Sequence, residues 1–262
     1  MWQNNLLKVT LLCGMNLFLS TSAWSQTSIL ETLLQSQSAI VEVKAQGAGL
    51  FKPPTQQAAM DPRTGRIILV RNAGMATFER NGAGVIIHPS GIIATNAHIA
   101  SQAKVISVTL HDQTTVPAQV ISFEPNLDLC LLKIAPPEGL TYLPLADSNG
   151  VKLGDEIFTV GNSAVVKESL SGGKVIGLGR SHGILVHGTI RNDLIQTTID
   201  LYKGDSGGPL FNRQGQLIGL MTAKEMSADH SSFAIPSNQI ALHLISYLNE
   251  IKAKNEPADK NQ

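Results

Sequence analysis

From Ile40 almost to its end, the chain alternates short apolar runs with breaks rich in glycine, proline and small polar residues. The runs are too short for helices that bury a face, and their β-branched content suits a pleated surface. Ile40–Val43, Val85–Ile87, Ile92–Ala94, Val105–Leu110, Val116–Phe123 and Leu129–Ile134 read as strands in the first part. Ile157–Val160, Val175–Leu178, Leu194–Thr198, Leu217–Met221 and Phe233–Ile235 continue the series. His88-Pro89-Ser90-Gly91 turns between two of the runs and predicts a hairpin. Many short strands separated by turn residues predict an all-β, antiparallel barrel or sandwich. Gly47–Arg66 holds Pro53, Pro54 and Pro62 and shows no periodicity, so a long surface loop is expected there.

Helices are expected only at the two ends of this array. Ser28-Ile29-Leu30-Glu31 fits the capping-box pattern and opens a short helix to about Gln37. Ser237, after Pro236, is a good N-cap for a closing helix to about Lys252, with Ile240, Leu244, Leu248 and Ile251 on one face. Residues 256–262 form a polar tail.

The first residues read as an export signal, residues 1–25. Lys8 and the amino terminus supply positive charge, Val9–Ser20 is mostly apolar, and Ala23-Trp24-Ser25 resembles a cleavage site. The apolar stretch falls short of the ~20 residues of a spanning helix, with an uncleaved anchor as the alternative. A periplasmic or secreted location is therefore expected. Removal of this segment leaves Cys130 as the one cysteine, so no internal disulfide can form and the domain depends on its hydrophobic core. Set in Leu127-Asp128-Leu129-Cys130-Leu131-Leu132, Cys130 reads as a buried small hydrophobe.

The 262 residues, 43% of them hydrophobic, suffice for one large domain or two small ones packed together. The 20 basic and 20 acidic residues cancel and no basic run occurs, which excludes a nucleic-acid partner. His182 and His187 flank Gly183–Val186 without a carboxylate or thiol cluster, so no metal is expected, and no cofactor motif is found.

Gly204-Asp205-Ser206-Gly207-Gly208-Pro209 carries the strongest chemical signal. A nucleophilic serine needs an exposed hydroxyl and amide donors aimed at the oxyanion that forms on the attacked carbonyl. Flanking glycines let the backbone turn sharply, and the Gly204 and Ser206 N–H groups are the candidate oxyanion hole. Thr95-Asn96-Ala97-His98 follows an apolar strand and offers an imidazole whose ordinary pKa near ~6.5 suits a base that takes and returns a proton. In Asn126-Leu127-Asp128-Leu129, an acid beside an apolar strand must find a partner if buried. His98, Asp128 and Ser206 are the candidate catalytic residues. Each alone also fits a structural role.

Taken together, these segments resemble the trypsin-like peptidases, and among them the disulfide-free HtrA (Deg) proteases. The resemblance rests on Gly82–Ile87, Thr95–His98, Leu127–Ile134, Leu153-Gly154-Asp155, Val160-Gly161-Asn162, Ile195-Gln196-Thr197, Gly204–Pro209 and Phe233–Ser237, in family order. It implies a chymotrypsin-like fold of two six-stranded antiparallel β-barrels, the first to about residue 137 and the second over about 138–235. The C-terminal helix would follow at 237–252, within a peptidase domain of residues 26–255.

By the same resemblance the chain is a serine endopeptidase acting on exported or misfolded polypeptides, and a homotrimer built through its N-terminal segment. A catalytically weak chaperone or peptide binder is the alternative. Leu201, Leu220, Met221 and Thr222 are the implied substrate-binding residues, favouring small or medium apolar side chains. Against this, Asp200 lies six residues before Ser206, where trypsin carries its specificity aspartate, and is read either as a solvated acid or as a receptor for Lys and Arg. The chain departs from the family pattern in three ways: Lys203-Gly204-Asp205-Ser206 replaces the common Pro-Gly-Asn-Ser, Asn162-Ser163 replaces the Asn-Pro that follows the glycine at 161, and the tail after the closing helix is too short for a PDZ domain.

Overall fold

The computed structural model describes residues 29–49, 55–60, 67–72, 76–162, 167–184, 189–224 and 231–255. The expected export signal and His187 lie outside these residues. The opening helix α1 spans Ile29–Ser36 and buries Leu33. Strand β1 (Ile40–Gly49) follows, then β2 (Thr55–Met60), β3 (Ile67–Asn72), β4 (Ala76–His88) and β5 (Ile92–Asn96). After the single turn α2 (Ala97–Ala100) come β6 (Val105–Thr109), β7 (Thr115–Pro117), β8 (Gln119–Glu124) and β9 (Leu129–Lys133). The second half holds β10 (Glu156–Asn162), β11 (Lys167–Ile184), β12 (Thr189–Thr197), β13 (Pro209–Asn212), β14 (Leu217–Lys224), β15 (Ser232–Pro236) and the closing helix α3 (Ser237–Asn255).

Every strand pairing is antiparallel, and the second half closes as a six-stranded barrel in the order β10-β11-β12-β15-β14-β13. The first half is a seven-stranded sheet in the order β7-β6-β1-β4-β5-β9-β8. Its outermost strands, β7 and β8, are separated in sequence by Ala118 alone, so the sheet curls until its two edges meet without a hydrogen-bonded seam. Breaking the expected run Val116–Phe123 at Ala118, whose amide bonds the Ile106 carbonyl, produces the seventh strand. Part of the expected loop Gly47–Arg66 is strand instead. β1 continues to Gly49 along β4, and β2 pairs with β3 as a separate hairpin. These strands find their hydrogen-bond partners in neighbouring strands, while Pro53, Pro54 and Pro62 lie outside the described residues.

The apolar runs at β5 and β9 are continuous because both faces of these strands are covered. Ile93, Cys130 and Leu132 point into a core that belongs to the first half, with Val41, Val43 and Val108. Ile92, Ala94, Leu129 and Leu131 point the other way, into a cluster shared with Phe211, Leu217, Leu220 and Phe233 of the second half. Leu33 of α1 and Ile240 of α3 join this shared cluster, so both helices brace the joint between the halves. A third core, with Ile157, Val175, Ile195, Leu210 and Met221, fills the second barrel. The Ser237 hydroxyl donates to the Ala146 carbonyl at 2.5 Å, tying the start of α3 to the segment that joins the halves.

No helix among the described residues is long and apolar enough to cross a membrane. The shared cluster implies that the two halves unfold together. Leu131, fully buried in it, should cost about 2–5 kcal/mol on truncation to alanine. Denaturant unfolding of Leu131→Ala should show that loss in one transition; two separate transitions would mean that the halves are independent.

Candidate active site

The site forms where the ends of β5, β9 and β14 meet. β5 stops at Asn96, and the turn of α2 presents His98 at once. The preceding turn into β9 holds Asp128 in the left-handed region, at φ +58°, a conformation that aspartate tolerates better than most side chains. Its amide donates to the Pro125 carbonyl, while its own carbonyl accepts from the Ala97 amide at 2.8 Å and from Asn96 Nδ2 at 3.2 Å. These backbone bonds fix the two chain segments before any side-chain chemistry begins.

Asp128 is 1% exposed, so its carboxylate is out of water and depends on donors. The His98 amide donates to Oδ1 at 2.8 Å, and His98 Nδ1 lies 2.8 Å from Oδ2. The Thr222 hydroxyl donates to Oδ2 at 2.5 Å. A carboxylate can only accept, so Nδ1 carries the proton and Nε2 of the neutral ring keeps its lone pair. The Asp128 charge also reaches Cys130: burial first, and this neighbour second, push the thiol up to about 12. Cys130 is therefore no nucleophile at neutral pH.

Ser206 arrives from the opposite half. The Asp205 amide bonds the Tyr202 carbonyl, and the Gly208 amide bonds the Asp205 carbonyl, so the chain folds tightly around the serine. Gly207 bonds Met221, and the Ala83 amide of β4 donates to the Ser206 carbonyl at 2.8 Å. Glycine is required at 207: with φ at +86°, a Cβ there would run into the Ala83 carbonyl. The Ser206 hydroxyl donates to the Thr222 carbonyl at 3.4 Å. Thr222 thus touches Asp128 with its side chain and Ser206 with its backbone. Among the described residues, the Gly204 and Ser206 amides donate to no backbone carbonyl.

His98 and Asp128 are directly bonded, and Ser206 reaches Asp128 through Thr222; the Ser206 hydroxyl bonds the Thr222 carbonyl rather than the His98 ring. Leu220 and Met221 are wholly buried, Leu220 in the cluster between the halves and Met221 inside the second barrel, where Leu201 joins it. Alternation along β14 sends Leu220 and Met221 to opposite faces. Asp200 is ion-paired with Lys224 at 3.3 Å. The bond from Thr222 to Asp128 escaped sequence reasoning, as did the role of Ala83, whose flanking glycines were the one signal available.

The profile of the trypsin-like peptidase domain matches residues 82–220, more than half of the chain, and these residues carry His98, Asp128 and Ser206. The chain belongs to the trypsin-like peptidase domain family. It is 39% identical over 182 residues to the periplasmic pH-dependent serine endoprotease DegQ of Escherichia coli (strain K12), covering 67% of this chain and 39% of that protein. It is 38% identical over 168 residues to the periplasmic serine endoprotease DegP of Salmonella typhimurium, covering 62% of this chain and 34% of that protein. The chain thus spans less than half the length of these curated relatives. The structure resembles the HtrA-type protease AlgW solved with a decapeptide, with a TM-score of 0.65 and 27% identity over 85% of this chain and 68% of that one. This peptidase-family chain is thus similar to HtrA-type proteases in both sequence and fold.

One acid in the peptidase site is poorly satisfied. Asp205 is 5% exposed; Oδ2 accepts from the Tyr202 amide at 2.9 Å, but Oδ1 is buried without a hydrogen-bond partner among the described residues. Burial pushes its carboxyl above its ordinary value, and the Tyr202 amide offsets this only in part. The folded state therefore binds this proton more tightly than the unfolded chain does. That contribution to stability is full below the unfolded value near ~3.9 and is lost as pH rises through the higher folded value. Asp205→Asn, the amide common in HtrA proteases, removes the titration. Its melting temperature relative to the parent should rise with pH across the acidic range and then level off. A difference that does not change between pH 4 and 8 would contradict this account.

Proposed function

We propose that this chain is a serine endopeptidase that cleaves exported polypeptides by acyl transfer. His98 Nε2 takes the proton of Ser206 Oγ as the oxygen attacks the scissile carbonyl carbon. The oxyanion so formed accepts hydrogen bonds from the Gly204 and Ser206 amides. His98 then returns the proton to the leaving nitrogen, the C–N bond breaks, and an ester to Ser206 remains. Water, deprotonated by the same imidazole, attacks the ester and releases the new carboxyl end with the serine restored. Asp128 keeps the proton of the neutral ring on Nδ1 and stabilises the imidazolium formed at each step.

The observation that carries this reading is that Asp128 bonds both His98 Nδ1 and the Thr222 hydroxyl, while the Thr222 carbonyl accepts from Ser206. Two residues far apart in sequence thus meet on one buried carboxylate, and one of them also holds the serine. The periplasmic names of its relatives and its own N-terminal pattern support an exported setting.

A second reading, a peptide-binding protein of weak activity, draws on the Ser206 hydroxyl bonding Thr222 rather than His98. The endopeptidase reading requires that hydroxyl to turn from the Thr222 carbonyl to His98 Nε2 when substrate is bound. A fluorophosphonate probe, which reacts with an activated serine, distinguishes the two readings. The endopeptidase should be labelled and should cleave unfolded polypeptide. Ser206→Ala should abolish both, and His98→Ala should lower turnover by about 10⁴-fold. A folded chain that binds unfolded polypeptide but neither labels nor cleaves would support the binding protein instead.

A further inference from the structure

Two segments flank Ser206. One is β14, whose Thr222 carbonyl accepts the serine hydroxyl; the other is the run from Asp200 to Asp205 that delivers the serine. β14 extends two residues past Thr222 to Lys224, and the Lys224 ammonium lies 3.3 Å from Asp200 Oδ1. The ion pair therefore spans the interval between the two segments. Behind it, Leu201 and Met221 are buried in the barrel core, so both backbones are fixed from the inner side. The acid is the more covered partner: its side chain is 24% exposed, against 42% for Lys224. In the sequence, Asp200 was either a solvated acid or a receptor for a substrate cation. In the structure, an ammonium of the chain itself sits beside it.

We propose that Lys224 is a specificity-determining residue, a tethered cation that neutralises Asp200 and leaves the cleft to uncharged, apolar side chains. The proposal rests on the endopeptidase reading. A substrate Lys or Arg that entered would have to displace the Lys224 ammonium, exchanging one ion pair for an equivalent one with no net gain. An apolar side chain faces no such exchange, because it can lie against the lysine stem. Removing the ammonium while keeping a stem of similar length changes the balance. Asp200 is then a largely covered carboxylate that lacks the Lys224 cation, and an incoming cation supplies it.

The test compares the full chain with Lys224→Met and with Lys224→Met/Asp200→Asn. Cleavage of a peptide library is one readout, and calorimetric binding of benzamidine, a small aromatic cation, is the other. The parent should cleave after apolar residues and bind benzamidine weakly. Lys224→Met should raise both the basic-to-apolar cleavage ratio and benzamidine affinity by about tenfold or more, and the double variant should lose both gains. Values within about twofold of the parent, or gains that survive in the double variant, would overturn the proposal. If no form cleaves any peptide, the endopeptidase reading falls by itself, and benzamidine binding still decides on Lys224.

Discussion

Removing a carboxylate from water costs several kcal/mol unless donors replace the lost hydration, and this molecule buries one at the joint between its halves. Asp128 can sit there because three donors converge on it: the His98 amide, the His98 ring and the Thr222 hydroxyl. The first two come from the chain that leaves β5, and the third from β14 in the other half. Separating the halves would take Thr222 away and expose a charge that has lost one of its donors. The acid that orients the imidazole is thus also a reason for the two halves to stay in register.

The serine loop is fixed by complementary means. Its carbonyl at 206 accepts from Ala83 of the first half, and its neighbour Gly207 bonds Met221 of its own barrel. Gly82 and Gly207 make this approach feasible, since a Cβ at either would meet Ile99, Ala83 or the serine backbone itself. The loop is therefore clamped from both sides by main-chain bonds. That leaves its side-chain hydroxyl and the amides at 204 and 206 as the groups available for chemistry.

Much of this was legible in the sequence because it is local. Five of the six strands of the second barrel announce themselves by a short apolar run, while the four-residue β13, directly after the serine loop, does not; His98, Asp128 and Ser206 stand beside strands in a recognisable order. What escaped is non-local. The Thr222–Asp128 bond joins residues 94 apart, and the Lys224–Asp200 pair joins two segments that periodicity cannot relate. β1 runs past the expected start of the loop because β4 offers ten partner positions along its length. Leu220 and Met221, read as walls of a binding site, pack into two different cores, since a strand between the interface and a barrel interior has both faces covered.

The two buried acids near Ser206 are treated oppositely, and the contrast indicates where the fold concentrates its strain. Asp128 receives three side-chain acceptor bonds and lies between strands whose backbones are fully paired nearby. Asp205 receives one, from Tyr202, on a loop whose outer residues Tyr202 and Lys203 are exposed. A half-satisfied buried carboxyl lowers the stability of the segment that carries it. Here that segment holds both candidate oxyanion amides, whereas the His98–Asp128 pair rests on a well-satisfied frame. Local opening should therefore begin at residues 202–206 and leave the imidazole and its acid in position. On these grounds, the cost of reordering the serine loop would include the Asp205 oxygen that has no donor among the described residues.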